Sequence, residues 1–270
     1  MTVLTSSQLL VTVKEDSAVE PPKSSIKTIC YLHWKMILAE FISTFFLVFF
    51  GCMTCVPLDG KHLQPLYSSL GFGLIVIFNI QAFGHISEAH MNPAITFIAI
   101  IWKKMSVTLG VFYIIAQLSG AVAGYGVLIG VTPTDLMING TCVTQPHERY
   151  TRTVFQALVL EVLLTMALSF ITCAVWDPVN KDSQECNSLK FGLTIVGLSL
   201  AGGQLTGASM NPARSLGPAV WIQQWRAHWI YWIGPLSGSA LTAMFYKHMW
   251  LRTDKVVSDV KWNEDTLLQS

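Results

Sequence analysis

The chain has 270 residues, 52% hydrophobic and 12% charged, with mean hydropathy +0.49 and a formal net charge of +1. A soluble domain carries about 25% charged residues, so this composition points to an all-α membrane protein of one compact helical bundle. The near-zero charge offers no basic face to neutralise phosphates, which argues against nucleic acid as a partner.

Residues 1–33 are polar, contain Pro21-Pro22-Lys23 and show no leader with a cleavage site, so they are expected to form a disordered cytoplasmic tail. Six apolar segments follow that are predicted to span a bilayer: Met36–Val56, Leu66–Phe83, Ser106–Val131, Val154–Val175, Leu189–Gly203 and Trp229–Met249. The fifth needs its flanks to reach across. Two further apolar runs, Ile95–Trp102 and Leu216–Trp221, amount to about two turns each, far short of the roughly 20 residues a span requires. They are predicted half-helices. The membrane domain is placed at 34–250, and 251–270 reads as a second cytoplasmic tail, whose acidic run before Leu267-Leu268 has the form of a sorting signal.

The six cysteines, at 30, 52, 55, 142, 173 and 186, lack metal-ligand spacing and read as packing residues. Cys52-x-x-Cys55 alone is a weak redox signal. No metal, cofactor or enzymatic role is expected, since the spans hold no nucleophile with a histidine base and no His-Glu metal motif.

The second half repeats the first. Asn92 and Asn211 stand 119 residues apart, as do Phe72-Gly73-Leu74 and Phe191-Gly192-Leu193. Glu40 answers to Glu161 at an offset of 121, and Leu118-Ser119-Gly120 to Leu236-Ser237-Gly238 at 118. Each copy, about 34–131 and 153–250, holds three spans, and an odd number makes the second copy enter from the opposite face. The repeat is therefore inverted.

Each copy carries Asn-Pro-Ala: Asn92-Pro93-Ala94 and Asn211-Pro212-Ala213. Asn suits a helix N-cap, and Pro suits the first helical position, where its missing N–H costs nothing. A helix start at membrane depth leaves N–H groups and a positive dipole end that lipid cannot satisfy, unless that end lines a polar cavity. Two opposed starts imply a pore. Both asparagines can also turn a side-chain NH2 to the lumen, and the non-helical runs Glu88-Ala89-His90-Met91 and Gly207-Ala208-Ser209-Met210 can show it their carbonyls. Ala89, His90, Gly207 and Ser209 are thus candidate lining residues, while His85 reads as a loop-packing one. Arg214 is an intramembrane cation, which marks a functional site, and no acid lies nearby in sequence for a plain ion pair.

Flanking charge gives orientation. Lys14, Lys23, Lys27 and Lys35 precede the first span, Lys103 and Lys104 follow the first half-helix, and Lys247, Arg252 and Lys255 end the last span. Both termini are expected in the cytoplasm. The sequon Asn139-Gly140-Thr141 then falls outside, although Arg149 and Arg152 dilute the signal.

The paired Asn-Pro-Ala boxes, Gly84-His85-Ile86-Ser87 before the first, Arg214 after the second and Ala39-Glu40-Phe41 in the first span resemble the aquaporin family of major intrinsic proteins over about Lys35 to Lys247. That resemblance implies a multi-pass homotetramer of the plasma membrane, with six transmembrane helices and two half-helices. It also implies a passive pore in each subunit for water or small neutral solutes that excludes protons and ions. It makes Glu40 and Glu161 structural acids that bond the adjacent loop backbone, and Phe72, Ser199, Ala208 and Arg214 the selectivity filter.

Strict water channels of the family usually carry His where this chain has Ser199, and glycerol facilitators have an Asp after the Arg, where this chain has Ser215. Ala219, Tyr231 and Trp232 match the water branch. The combination resembles the insect entomoglyceroporins, so the expectation is passage of water with glycerol and urea; the alternative is a water-selective channel. Ala208 stands where many members carry a mercurial-sensitive Cys, so block would have to come from another thiol such as Cys52 or Cys173. Glu88 departs from a common Gly: either the backbone there needs an unusual φ and Glu88 is strained, or a carboxylate sits at the inner mouth. A secondary transporter also has inverted repeats and broken helices, but it needs an ion site, and only Glu40 and Glu161 offer intramembrane acids.

Overall fold

A computed structural model describes residues 26–57, 65–137, 140–148, 153–183 and 185–251. Its helices are α1 (Ile26–Met53), α2 (Pro65–Ser87), α3 (Pro93–Ile101), α4 (Val107–Val131), α5 (Val154–Trp176), α6 (Asn187–Thr206), α7 (Pro212–Ile222) and α8 (Ile230–Met249), with one 3-10 turn at Pro178–Asn180. The described residues contain no strand. Six of the helices have 20 residues or more, and α3 and α7 have 9 and 11. At 1.5 Å rise per residue, α3 and α7 extend only about 13–17 Å, roughly half of a bilayer core.

Four helices, α1, α2, α4 and α5, are long and apolar enough to cross a membrane on their own. The other two spans, α6 and α8, have the length, but Gly, Ser, Thr and Gln residues dilute their hydropathy. They turn part of that polarity inward, as at Thr206, Ser239 and Thr242, all with no exposed surface. One expectation changes here: α1 begins at Ile26, so residues 26–33 are helical and do not belong to an irregular tail. Asn139, Arg149, Arg152 and the segment before Leu267-Leu268 lie outside the described residues.

The helix ends are set locally. Ser106 caps α4 through Leu109 N at 3.2 Å, and Thr153 with Gln156 forms a reciprocal capping box at the start of α5. Within the first repeat α1 packs on α2 and α4; within the second, α5 packs on α6 and α8. Small residues allow the close approach: a Cβ on Gly124 would stand 2.5 Å from the Phe45 carbonyl oxygen of α1, and one on Gly238 would stand 2.6 Å from that of Val162 on α5.

The repeats are joined by α2 on α6 and by an exchange of the short helices. The half-helix α3 packs against α8 of the other copy as well as α4, and α7 packs against α4. The two half-helices therefore close the bundle around its middle. Outward, large apolar side chains such as Leu74, Leu163, Leu193 and Ile233 stay more than half exposed, as a lipid-facing surface requires.

The cysteines depart from the packing reading. Cys52, at the end of α1, is disulfide-bonded to Cys142, 90 residues on, with Cα atoms 5.3 Å apart. Sequence reasoning missed the pair because neither partner has a diagnostic spacing, and only the return of the 140–148 segment over α1 brings them together. Cys55, Cys173 and Cys186 carry free thiols.

Candidate pore

The turns that precede α3 and α7 are copies of one another. Asn92 and Asn211 take extended backbone, φ −154° and −151°, and their Oδ1 atoms accept from Ala94 N at 2.8 Å and Ala213 N at 2.9 Å. Pro93 and Pro212 occupy the first helical position. The Asn92 Nδ2 atom donates to the Met210 carbonyl at 2.8 Å, and Asn211 Nδ2 donates to the Met91 carbonyl at 2.8 Å. The two half-helices thus meet tip to tip, each cap tied to the other's turn. An amide nitrogen has two hydrogens, so each cap keeps one for the cavity that both line.

Each turn is held from below by a buried glutamate. Glu40 Oε1 accepts from Ser87 Oγ at 2.7 Å and His90 N at 2.8 Å, while its Oε2 accepts from Met91 N at 2.8 Å. Glu161 does the same in the second copy: Thr206 Oγ1 at 2.6 Å, Ser209 N at 3.0 Å and Met210 N at 3.0 Å. Neither glutamate has any exposed surface. Ser87 and Thr206 also accept from Ala89 N and Ala208 N, both at 3.2 Å, and Tyr113 and Tyr231 donate to the carbonyls of Ser87 and Thr206. These four residues were not singled out for this role from sequence. The repeat offset applied to hydroxyl residues, 119 for Ser87 and Thr206 and 118 for Tyr113 and Tyr231, would have found them. Gln117 Nε2, on Glu40 Oε2 and Thr96 Oγ1 at 2.7 and 2.9 Å, has no such counterpart.

The turns are backbone-strained. Glu88, Ala89 and Met91 have φ of +64°, +48° and +53°; Gly207, Ala208 and Met210 have +85°, +42° and +53°. Glu88 is the structural mate of Gly207, so the backbone there does take the conformation that glycine adopts freely, and the carboxylate also reaches the cavity. It lies 3.7 Å from Lys104 Nζ and 3.9 Å from His90 Nε2, with its side chain 52% exposed. Strain and a carboxylate on the cavity wall therefore occur at the same residue. An exposed pair of this kind contributes less than about 1 kcal/mol, against roughly 1–2 kcal/mol for a left-handed residue with a Cβ. Glu88→Gly, less the chain entropy that glycine adds to the unfolded state, should stabilise by about 0.5–1 kcal/mol. That corresponds to a melting temperature in detergent higher by roughly 2–3 °C; a lower one would mean that the Lys104 pair outweighs the strain.

A continuous cavity of about 970 Å³ runs through these elements. Its wall carries Phe72, Cys142 and Arg214, the last in contact with the other two; Asn92 and Asn211, where the two caps meet; and Glu88 with Lys104; Val143, Ser199, Ala208, His85 and Trp176 also line it. Ala89, His90, Gly207 and Ser209 line it too. The ring of His90 is fixed by Thr96 Oγ1 at 3.1 Å from Nδ1. Ser209 Oγ instead bonds within the turn, to the Asn211 carbonyl and Ser215 Oγ. Arg214 is 9% exposed; its guanidinium stands 4.8 Å over the Phe72 ring, and Nη1 donates to the Cys142 carbonyl at 2.6 Å. Its partner is a backbone carbonyl, and none of the described acids lies within ion-pair distance of it. Of the thiols named for mercurial block, Cys52 is consumed by the disulfide and Cys173 is fully buried outside the cavity wall, whereas Cys55 is on that wall.

Opposed, capped half-helices on a polar cavity through a bundle of spans define a membrane channel. The comparisons give its family: the model of the major intrinsic proteins matches residues 26–246, so the chain belongs to the major intrinsic protein, or aquaporin, family. It is 38% identical to aquaporin-4 of Mus musculus over 220 residues, 80% of this chain and 67% of that one. It is 40% identical to the lens fiber major intrinsic protein of Lithobates pipiens over 215 residues, 79% and 80% of the two chains. In structure it resembles the aquaglyceroporin from Plasmodium falciparum, TM-score 0.68 at 23% identity, over 80% of this chain and 96% of that one, a likeness of fold.

Proposed function

We propose that the cavity conducts water together with glycerol and urea, passively, and excludes ions and protons. The observation that carries this reading is the wall at Phe72, Ser199, Ala208 and Arg214, where two of the four side chains are small. Phe72 offers an apolar face to carbon and Arg214 offers donors to hydroxyl oxygens, a pairing suited to a polyol that slides with its CH groups on the ring. Ser199 puts a hydroxymethyl where an imidazole would narrow the passage. The Asn92 and Asn211 donors at the positive ends of α3 and α7 orient a passing oxygen and oppose cations, protons included.

In the same reading the channel is a homotetramer of the plasma membrane; Lys103 and Lys104 after α3 and Lys247 at the end of α8 support an orientation with both termini cytoplasmic. The Glu88 end of the cavity is then the inner mouth.

The test is stopped-flow shrinkage of liposomes holding the purified protein, with water, urea, glycerol and larger polyols in series. Glycerol and urea flux well above empty liposomes is expected, with exclusion of larger polyols. Water flux with glycerol at background would establish the water-selective alternative.

A further inference from the structure

The segment 140–148 forms part of the cavity wall at the Arg214 end, and its hold on the rest of the protein has one covalent component. Cys142 and Val143 line the lumen, and the Cys142 carbonyl accepts from Arg214 Nη1. The Cys142 backbone is left-handed, φ +65°, a conformation that a residue with a Cβ keeps only when its surroundings impose it. Cys142 sits in a turn closed by Val143 N on the Gly140 carbonyl at 2.9 Å, and the Cys52 disulfide ties that turn to the end of α1. The non-covalent ties are single hydrogen bonds and one exposed ion pair: Tyr125 Oη donates to the Thr141 carbonyl at 2.7 Å, Thr144 Oγ1 to Ser215 Oγ at 2.7 Å, His147 N to the Leu205 carbonyl at 2.9 Å and Gln224 Nε2 to Gln145 Oε1 at 3.0 Å, and Arg226 pairs with Glu148.

We infer that the Cys52–Cys142 disulfide is a redox-sensitive determinant of solute selection, which sets the Cys142 carbonyl and through it holds the Arg214 guanidinium against the lumen wall over Phe72, where it lines the passage without crossing it. This rests on the solute reading above. Cys142 is a positioning residue: it acts through its carbonyl on Arg214. When a dithiol reductant attacks, one of its thiolates bonds to a cystine sulfur and expels the other sulfur as a thiolate. The reductant's second thiolate then closes a cyclic disulfide, leaving Cys52 and Cys142 as two thiols once protonated and the reductant oxidised by two electrons. With the tether gone, Cys142 can leave the left-handed region, which turns its carbonyl away from Arg214. A buried guanidinium without that acceptor seeks oxygen atoms across the lumen. The larger solute is obstructed more than water.

The experiment uses the full chain in liposomes, with water and glycerol permeability measured before and after a membrane-permeant dithiol, and with peptide mass spectrometry to follow the Cys52–Cys142 link. The glycerol-to-water ratio should fall about threefold or more on reduction. C52S/C142S, which retains every backbone carbonyl, should show the low ratio from the start and no response to the dithiol. An unchanged or increased ratio after complete reduction, a double variant with the ratio of the untreated channel, or failure to recover the linked peptides would overturn the inference. Glycerol at background in the untreated channel would defeat the solute reading instead. The redox comparison then runs on water permeability alone, which release of Arg214 should lower, and constancy there defeats the inference.

Discussion

Glu161→Ala should leave little folded channel. The substitution removes the acceptor of Ser209 N, Met210 N and Thr206 Oγ1 at once, in a place with no exposed surface and no other carboxylate. Each buried donor left without a partner costs about 1–3 kcal/mol, so the three together cost roughly 3–9 kcal/mol. A ~220-residue bundle should lose roughly 10–30 °C of melting temperature in detergent. Glu161→Gln refines the test. A carboxamide keeps the volume, but one of its two ends is itself a donor and faces the N–H groups that the carboxylate served. Its loss should lie between wild type and Ala. An Ala variant that melts with the wild type would show that the Glu161 bonds do not hold the second turn.

Ser199→His should reduce glycerol passage by about tenfold or more while water permeability stays within about twofold. The side chain enters the cavity wall that also carries Phe72 and Arg214, and an imidazole fills cross-section that a hydroxymethyl leaves open. A water molecule needs only a column of its own width and a donor or acceptor at each step. Glycerol needs the full opening. Stopped-flow measurements normalised to the amount of protein per liposome check this, and glycerol flux equal to wild type would show that residue 199 does not set the width. Ser199 makes none of the hydrogen bonds that hold the Asn-Pro-Ala turns, so a change in solute profile there would not be a folding defect in disguise.

Much of this protein was legible from its residues. The length and spacing of the apolar segments fix six spans and two half-helices, because a bilayer admits only backbone that satisfies its own hydrogen bonds. The near-constant offset from Phe72 to Phe191 and from Asn92 to Asn211 fixes an inverted repeat, and Asn-Pro at a helix start is a local preference of cap and ring geometry. What sequence left open were contacts between segments remote along the chain. Whether Glu88 was strained or merely charged depended on φ, and the answer, both, came from its place opposite Gly207 in the other turn. That Asn92 and Asn211 each bond the other copy's turn, that Arg214 rests on a carbonyl of segment 140–148, and that Cys52 meets Cys142 were decided only by tertiary structure. Caps and spans are properties of a few consecutive residues, so pattern encodes them. A carbonyl or a sulfur 70 to 120 residues away is presented by the packing of whole helices, and no spacing along one segment encodes where it will arrive.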